Sequence, residues 1–243
     1  MKPIPPDIEN TILELSVLYS EYAEGSIPLS LRALVEKGEY DYQAIPEPSL
    51  KLFNKYYFLR NALKSLLSIR AAIPDGLKVG AVSDIGCGSG AASIALLGSR
   101  ELKLTSNGKV RLIDQSSDQI KDALKNYERI SFSNPLLVLN GYVSDLSGEN
   151  TLEPMEPETK ELRIASYSFC EMVASGTSPQ KLRSLLGGHF LLIDYFTVIS
   201  NVFSSIIEES DHATASRQVY SLSDKLTSLI GQPSLKVNCL YAR

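Results

Sequence analysis

The 243-residue chain has no tryptophan, only three cysteines and only two histidines. Cys87, Cys170 and Cys239 stand far apart with no Cys-x-x-Cys pair. That spacing argues against a disulfide framework or a cysteine-ligated metal, and reads as reduced thiols of a cytoplasmic protein. His189 and His212 are too few for a histidine-rich centre, so no metal is expected. No apolar run approaches the roughly 18 residues of a membrane span. The opening Met1-Lys2-Pro3-Ile4-Pro5-Pro6-Asp7 lacks the apolar core of a signal peptide. Lys and Arg number 24 against 28 Asp and Glu, a net charge of −4. The clustered cations that hold a phosphate backbone are missing, so neither a membrane nor a nucleic acid is expected as partner. What is present, 44% hydrophobic and 21% charged residues, suffices for a globular core.

The first 76 residues read as helices. Ile8, Ile12, Leu15, Tyr19 and Tyr22 share one helical face, ended by Gly25 and Pro28. A short helix over Leu29–Lys37 follows, then a Pro-flanked extended stretch, Tyr40–Pro48, and a long helix from about Ser49 to Ala72. From Lys78 the pattern changes. Apolar runs at Val79–Asp84, Val110–Asp114, Leu136–Leu139, Leu162–Ser166 and Phe190–Asp194 alternate with helical stretches at Ala91–Leu97, Ser117–Ile130 and Ser178–Leu186. Nearly continuous apolar runs suit strands buried on both faces. Strand–helix alternation implies an α/β, doubly wound, mostly parallel sheet. The division predicted is a helical cap over residues 1–76 and an α/β domain over 77–243. After Asp194 the sequence offers two helices, near Asn201–Glu209 and Ser223–Ile230, and one convincing strand, Leu235–Leu240. A further short strand near Arg217–Tyr220 is the alternative to a sheet cut short. Ser221 and Asp224 are placed as a capping box.

The informative segment is Asp84-Ile85-Gly86-Cys87-Gly88-Ser89-Gly90, lying between a strand and a helix. Its glycines permit positive φ and close approach of a ligand to the backbone. The helix start beyond them offers free N–H groups. The next strand ends in Asp114, a carboxylate placed to accept hydrogen bonds from the two hydroxyls of a ribose. This pattern resembles the class I S-adenosylmethionine-dependent methyltransferases, with Ile113-Asp114-Gln115-Ser116 matching the second-strand motif. A nicotinamide-binding domain is the competitor, but it usually spaces its glycines Gly-x-Gly-x-x-Gly. Here the third glycine comes one residue early.

The resemblance implies a Rossmann-like methyltransferase fold, S-adenosylmethionine as cofactor, and methyl transfer to O, N or C of a small-molecule acceptor. Under it, the Gly86-Cys87-Gly88 turn passes beneath the methionine part, Asp114 holds the ribose, and Gln115 flanks the adenine. Asp84 either orders the loop or reaches the methionine ammonium through water. Family members often carry Gly-Asp-Ala after the third strand. This chain reads Asn140-Gly141-Tyr142-Val143-Ser144-Asp145 there. Val143 then meets the adenine edge through its backbone, and Asp145 either replaces the missing Asp or caps the next turn. Other chemistry on the same cofactor, aminocarboxypropyl transfer or cyclisation, shares these motifs. An RNA acceptor is disfavoured by the acidic balance and by the absence of an Asn-Pro-Pro-Tyr-type tetrad.

Ligands in such sheets sit at the carboxyl ends of the strands. Ser166, Tyr167 and Ser168 therefore fall near the reacting group. Tyr167 either meets sulfonium or acceptor, or is an ordinary half-buried tyrosine. Glu171 is either a general base or a carboxylate favoured on a first helical turn. Asp194 lies at the edge expected for the acceptor pocket. His189, at the other end of its strand, reads as structural. His212 reads as a solvent residue or a base in a closing loop. Aromatics crowd the first 60 residues, and Tyr40, Tyr42 and Tyr57 are candidates to line a lid over the acceptor.

Overall fold

A computed structural model describes residues 1–20, 47–130, 138–144, 152, 160–187, 189–209 and 213–243. Along them run β1 (Lys2–Pro3), α1 (Pro6–Ser20), α2 (Glu47–Ala72), β2 (Leu77–Ile85), α3 (Ala91–Gly98), β3 (Leu102–Asp114), α4 (Ser117–Arg129), β4 (Val138–Val143) and β5 (Glu161–Ser166). They continue with α5 (Phe169–Ala174), α6 (Pro179–Leu186), β6 (Phe190–Ile193), α7 (Phe196–Glu209), β7 (Thr214–Ser221), α8 (Asp224–Ile230) and β8 (Ser234–Ala242). The strands form one sheet in the order β1-β7-β8-β6-β5-β2-β3-β4. Strands β2 to β6 are parallel, and β8 runs antiparallel between β6 and β7. The doubly wound, mostly parallel α/β sheet expected from the alternation is what forms.

The order reverses at β2. The chain builds β3 and β4 outward on one side, then returns to lay β5 against β2's other edge. A crevice opens where neighbouring connections leave in opposite directions, here between the carboxyl ends of β2 and β5.

The far edge is more complete than the sequence suggested. β7 is a full strand, in register with β8 from Thr214↔Tyr241 to Ser221↔Ser234. Its sequence, Thr-Ala-Ser-Arg-Gln-Val-Tyr-Ser, is mostly polar because its outer neighbour is only the two residues of β1. The cap of α8 also differs. Ser223, and not Ser221, accepts from the Leu226 N–H, and Gly231 closes the helix in the left-handed region. Helix α6 starts as expected, with the Ser178 hydroxyl accepting from Lys181 N–H and Pro179 in the first turn.

Two apolar layers cover the sheet. On one face α1, α2, α3, α4 and α8 bury Ile8, Ile12, Leu63, Leu67, Ile94 and Leu226 against Val82, Leu112, Ile164 and Leu235. On the other, α5, α6 and α7 bury Phe169, Leu182, Leu186 and Phe203 against Ile85, Ala165 and Leu192. Thus α1 and the second half of α2 belong to the sheet's own core. Helix α2 ends just before β2 begins, so its earlier turns extend toward the carboxyl ends of the parallel strands.

Candidate active site

The connection leaving β2 is built from left-handed glycines. Gly86, Gly88 and Gly90 have φ of 63°, 51° and 81°. Each serves a different neighbour. A β-carbon on Gly86 would lie 2.3 Å from that of Ser168, and one on Gly90 would lie 3.3 Å from that of Ala123 in α4. One on Gly88 would have only the Gln119 amide oxygen, at 3.8 Å, within contact range. Gly86 and Gly90 therefore let protein pack on protein, while Gly88 keeps a backbone surface open.

Asp114 ends β3 beside this loop. Its Oδ2 accepts from the Gly88 N–H at 2.9 Å and its Oδ1 from the Ser116 N–H at 2.9 Å. Burial pushes its pKa up, against the backbone N–H groups of Ser116, Gly88 and Gln115 that lower it. Each oxygen keeps a lone pair for a further donor. Asp84 is buried at the end of β2. Its Oδ2 accepts from Ser93 N–H in α3 at 3.1 Å, while Oδ1 is buried with no hydrogen-bond partner. Desolvation pushes its carboxyl up to about 6. The loop-ordering bond is thus present, and an unsatisfied acceptor remains beside it.

Cys87 is buried, and its backbone N–H donates to Ile113 O at 2.9 Å. Its thiol sits among core residues with its pKa raised by burial, leaving the position a backbone role. Gln115 is exposed. Val143 pairs with Asp114 across β3–β4, and Ser144 N–H donates to Asp114 O at 2.9 Å. Tyr142 is 48% exposed.

On the other side of the crevice, β5 ends in Ser166, and Tyr167 follows it. The Ser166 hydroxyl is buried without a partner. Tyr167 is the one non-glycine residue with positive φ among the described residues, at 59°. Strain of this kind costs about 1–3 kcal/mol and persists where surroundings fix it. Here the Tyr167 N–H donates to Ile193 O at 2.8 Å, and its ring meets Tyr195 edge-on at 5.5 Å. Ser168 donates to Ile85 O at 2.8 Å, tying this turn to the glycine loop.

Asp194 is fully buried after β6. Its Oδ2 accepts from Cys170 N–H at 3.0 Å and its Oδ1 from Tyr195 N–H at 2.7 Å. Burial pushes it up to about 6. In this state its carboxylate braces the loops after β5 and β6. Glu171 is exposed on the first turn of α5. His189 has the structural place expected, with Nε2 at 2.9 Å from the Tyr241 hydroxyl. Tyr57 lies on α2 with the half-buried side chains of that face. Tyr40, Tyr42, Asp145 and His212 lie outside the described residues.

The sequence reading missed two cations. Lys64, from α2, is 6% exposed and places Nζ 3.9 Å from the centroid of the Tyr167 ring. Arg60 lies one turn earlier, with Nε buried and without a hydrogen-bond partner. The signal was periodicity: Arg60 and Lys64 fall in line with buried Leu67 and Ser68.

No protein-family model and no curated protein matches the chain. Among solved structures, the chain is similar to a SAM-dependent methyltransferase from Aquifex aeolicus, at 14% identity. That match covers 83% of this chain and 98% of the other, with a TM-score of 0.47. The plantazolicin methyltransferase BpumL, in complex with a pentazolic desmethylPZN analog and SAH, is 12% identical over 96% of this chain and 99% of its own, with a TM-score of 0.48. An rRNA methylase from Streptococcus thermophilus is 14% identical over 74% and 93%, with a TM-score of 0.36. The fold is a doubly wound, Rossmann-like α/β fold. Its marks are in the chain itself: the switch point beside β2, and the antiparallel β7–β8 pair that closes the sheet.

Proposed function

We propose that this protein is an S-adenosylmethionine-dependent methyltransferase acting on a small-molecule acceptor. The observation that carries the reading is the bond between Asp114 and the Gly88 N–H, which joins an acid at the tip of β3 to an open left-handed glycine at the switch point. In this reading Asp114 takes the ribose hydroxyls on its remaining lone pairs, and Gly88 presents backbone to the methionine part. Asp84 Oδ1 and Ser166 Oγ, buried and unsatisfied, supply polar contacts that a ligand completes. Gly86, Cys87 and Gly90 set the loop's path, and Gln115 and the Val143 backbone border the adenine.

Held there, S-adenosylmethionine would supply an electrophilic methyl group for an O, N or C nucleophile of the acceptor, with the thioether as leaving group. The chain's part is positioning, which contributes roughly 7–11 kcal/mol in well-oriented reactions. Tyr167 stands at the strand tip facing that reaction, and Asp194 fixes the turn that carries it. Glu171 and His212 are the remaining candidates for receiving the acceptor's proton. Tyr40, Tyr42 and Tyr57 are proposed to line the acceptor pocket under a cap drawn from residues 1–76, of which α1 and the second half of α2 also pack into the sheet's core.

The test is calorimetric titration with S-adenosylmethionine, S-adenosylhomocysteine and NAD, followed by product analysis with acceptor libraries. Binding of the first two and not of NAD is expected, with S-adenosylhomocysteine as product. Methylthioadenosine as product would assign aminocarboxypropyl transfer or cyclisation instead. Absence of binding would overturn the reading.

A further inference from the structure

Lys64 and Arg60 sit one turn apart on α2, and neither has an ion-pair partner among the described residues. Lys64 is more than nine-tenths buried, and the one direct contact of its ammonium among the described residues is the Tyr167 ring face. A cation–π contact offsets only part of the cost of taking an ammonium out of water. The charged and titratable groups facing Lys64 are Arg60 on α2, Asp194 after β6 and Cys170 on α5. Arg60 repels it. Asp194, each of whose oxygens holds a backbone N–H, attracts the ammonium without an ion-pair contact, and the Cys170 thiol is kept neutral by burial. Two cations thus converge at the carboxyl ends of β5 and β6 with their donors unspent.

Resting on the methyltransferase reading, the geometry points to a carboxylate-binding subsite formed by Arg60 and Lys64 against the Tyr167 ring. The chemistry recognised is a carboxylate next to the reacting centre. Two molecules bring one there: the cofactor, through its amino-acid end, or an acidic acceptor. Burial and Arg60 hold the empty Lys64 ammonium down to about 7. A bound carboxylate restores the proton, so binding and proton uptake are linked. The carboxylate is held tightly below pH 7 and progressively less as pH rises above it.

The experiment is calorimetry on the wild type, Lys64→Met and Lys64→Arg. The titrants are S-adenosylhomocysteine, methylthioadenosine, benzoate and benzamide, the last two with and without S-adenosylhomocysteine. If the carboxylate is the cofactor's, Lys64→Met weakens S-adenosylhomocysteine roughly 10–100-fold, as expected for a charge-assisted hydrogen bond. Methylthioadenosine, which has no carboxylate, is unaffected, and Lys64→Arg recovers most of the loss. If it is the acceptor's, S-adenosylhomocysteine is unaffected, and benzoate but not benzamide binds the wild type and is lost in Lys64→Met. In either case wild-type titrations at pH 8, in two buffers of different ionisation enthalpy, show uptake of about one proton per carboxylate bound. That readout needs no variant. Equal binding by wild type and Lys64→Met of every carboxylate tested, or no proton uptake at pH 8, overturns the subsite. Wild type that binds benzoate but not S-adenosylhomocysteine supports the subsite and overturns the methyltransferase reading.

Discussion

Gly86 and Gly88 lie two residues apart with similar φ, yet alanine at each should fail in a different way. At either position a β-carbon in the left-handed region costs about 1–2 kcal/mol. At Gly88 nothing among the described residues opposes it closer than 3.8 Å, so that strain is the main cost to folding. For a chain of this size about 1 kcal/mol moves Tm by roughly 2–4 °C. Gly88→Ala should therefore melt only a few degrees low. At Gly86 the added carbon lands 2.3 Å from Ser168 Cβ. Ser168 cannot swing away freely, because its hydroxyl is bonded to Ile85 O and α5 begins at the next residue. Overpacking of this kind adds typically about 1–3 kcal/mol. Binding should follow the opposite order per degree lost: Gly88→Ala obstructs the open backbone and weakens S-adenosylmethionine at least about tenfold, a loss of about 1.4 kcal/mol. Thermal melts by circular dichroism and calorimetric titration of both variants give the four numbers needed. A Gly88→Ala protein with wild-type affinity would refute the cradle, and equal melting of the two variants would refute the Ser168 contact.

Asp114→Ala should weaken S-adenosylmethionine roughly 10–100-fold by calorimetry, since a hydrogen bond to a charged group is worth about 1.5–3 kcal/mol. It should also lower Tm, because the Gly88 and Ser116 N–H groups lose their acceptor. Phe169→Ala should cost about 3–5 kcal/mol in urea unfolding, since the ring is fully buried and stacks on Phe203 at 6.3 Å. His189 is held down to about 4 by burial and by Lys160 and Arg243, so its contribution to stability is full above pH 6.5 and lost as pH falls toward 4. Asp84 and Asp194, raised to about 6, act with opposite sign across the same window. The His189 limb is therefore read as the wild type minus His189→Gln difference in urea titrations from pH 4 to 7.

The central parallel strands were legible because they are buried on both faces and so contain apolar runs, as Val79 to Val82 and Phe190 to Ile193 do. The glycine loop and Asp114 were legible because their chemistry is local: a turn that only glycine takes, and an acid at a strand tip. β7 was half-hidden, since a strand beside a two-residue edge needs no apolar alternation. Helix α5 left no periodic trace in six residues. It is fixed from outside, by Phe169 in the core and by Asp194 accepting from Cys170 N–H. Asp194 was placed at the carboxyl end of its strand, where it lies, but its hold on two backbone N–H groups follows from the fold of two loops. Lys64 was invisible to motif reading, because what marks it is its burial, and burial belongs to the packing of α2 on the sheet.

Polar satisfaction divides the sheet along its strands, and the division assigns the working edge without reference to any motif. At the start of β5, Glu161 is paired with Arg111 at 2.7 Å and with Arg163 at 3.4 Å. Arg163 also donates to Leu185 O and Leu152 O, and Arg111 to the Ser83 hydroxyl. Charges buried there are closed against one another, as groups must be if they serve only the fold. At the carboxyl ends the accounting is left open. Asp84 Oδ1, Ser166 Oγ and Arg60 Nε are buried and unbonded, and Lys64 rests on a ring face. His189 Nδ1 is unbonded at the amino end, but on a ring that its depressed pKa keeps neutral, where the cost is smaller. The Ser65 and Ser68 hydroxyls on α2 are buried and unbonded too, but the open charged groups Asp84, Arg60 and Lys64 gather at the carboxyl ends. A ligand that is itself cationic, hydroxylated and carboxylated would supply the missing partners, and S-adenosylmethionine has all three features.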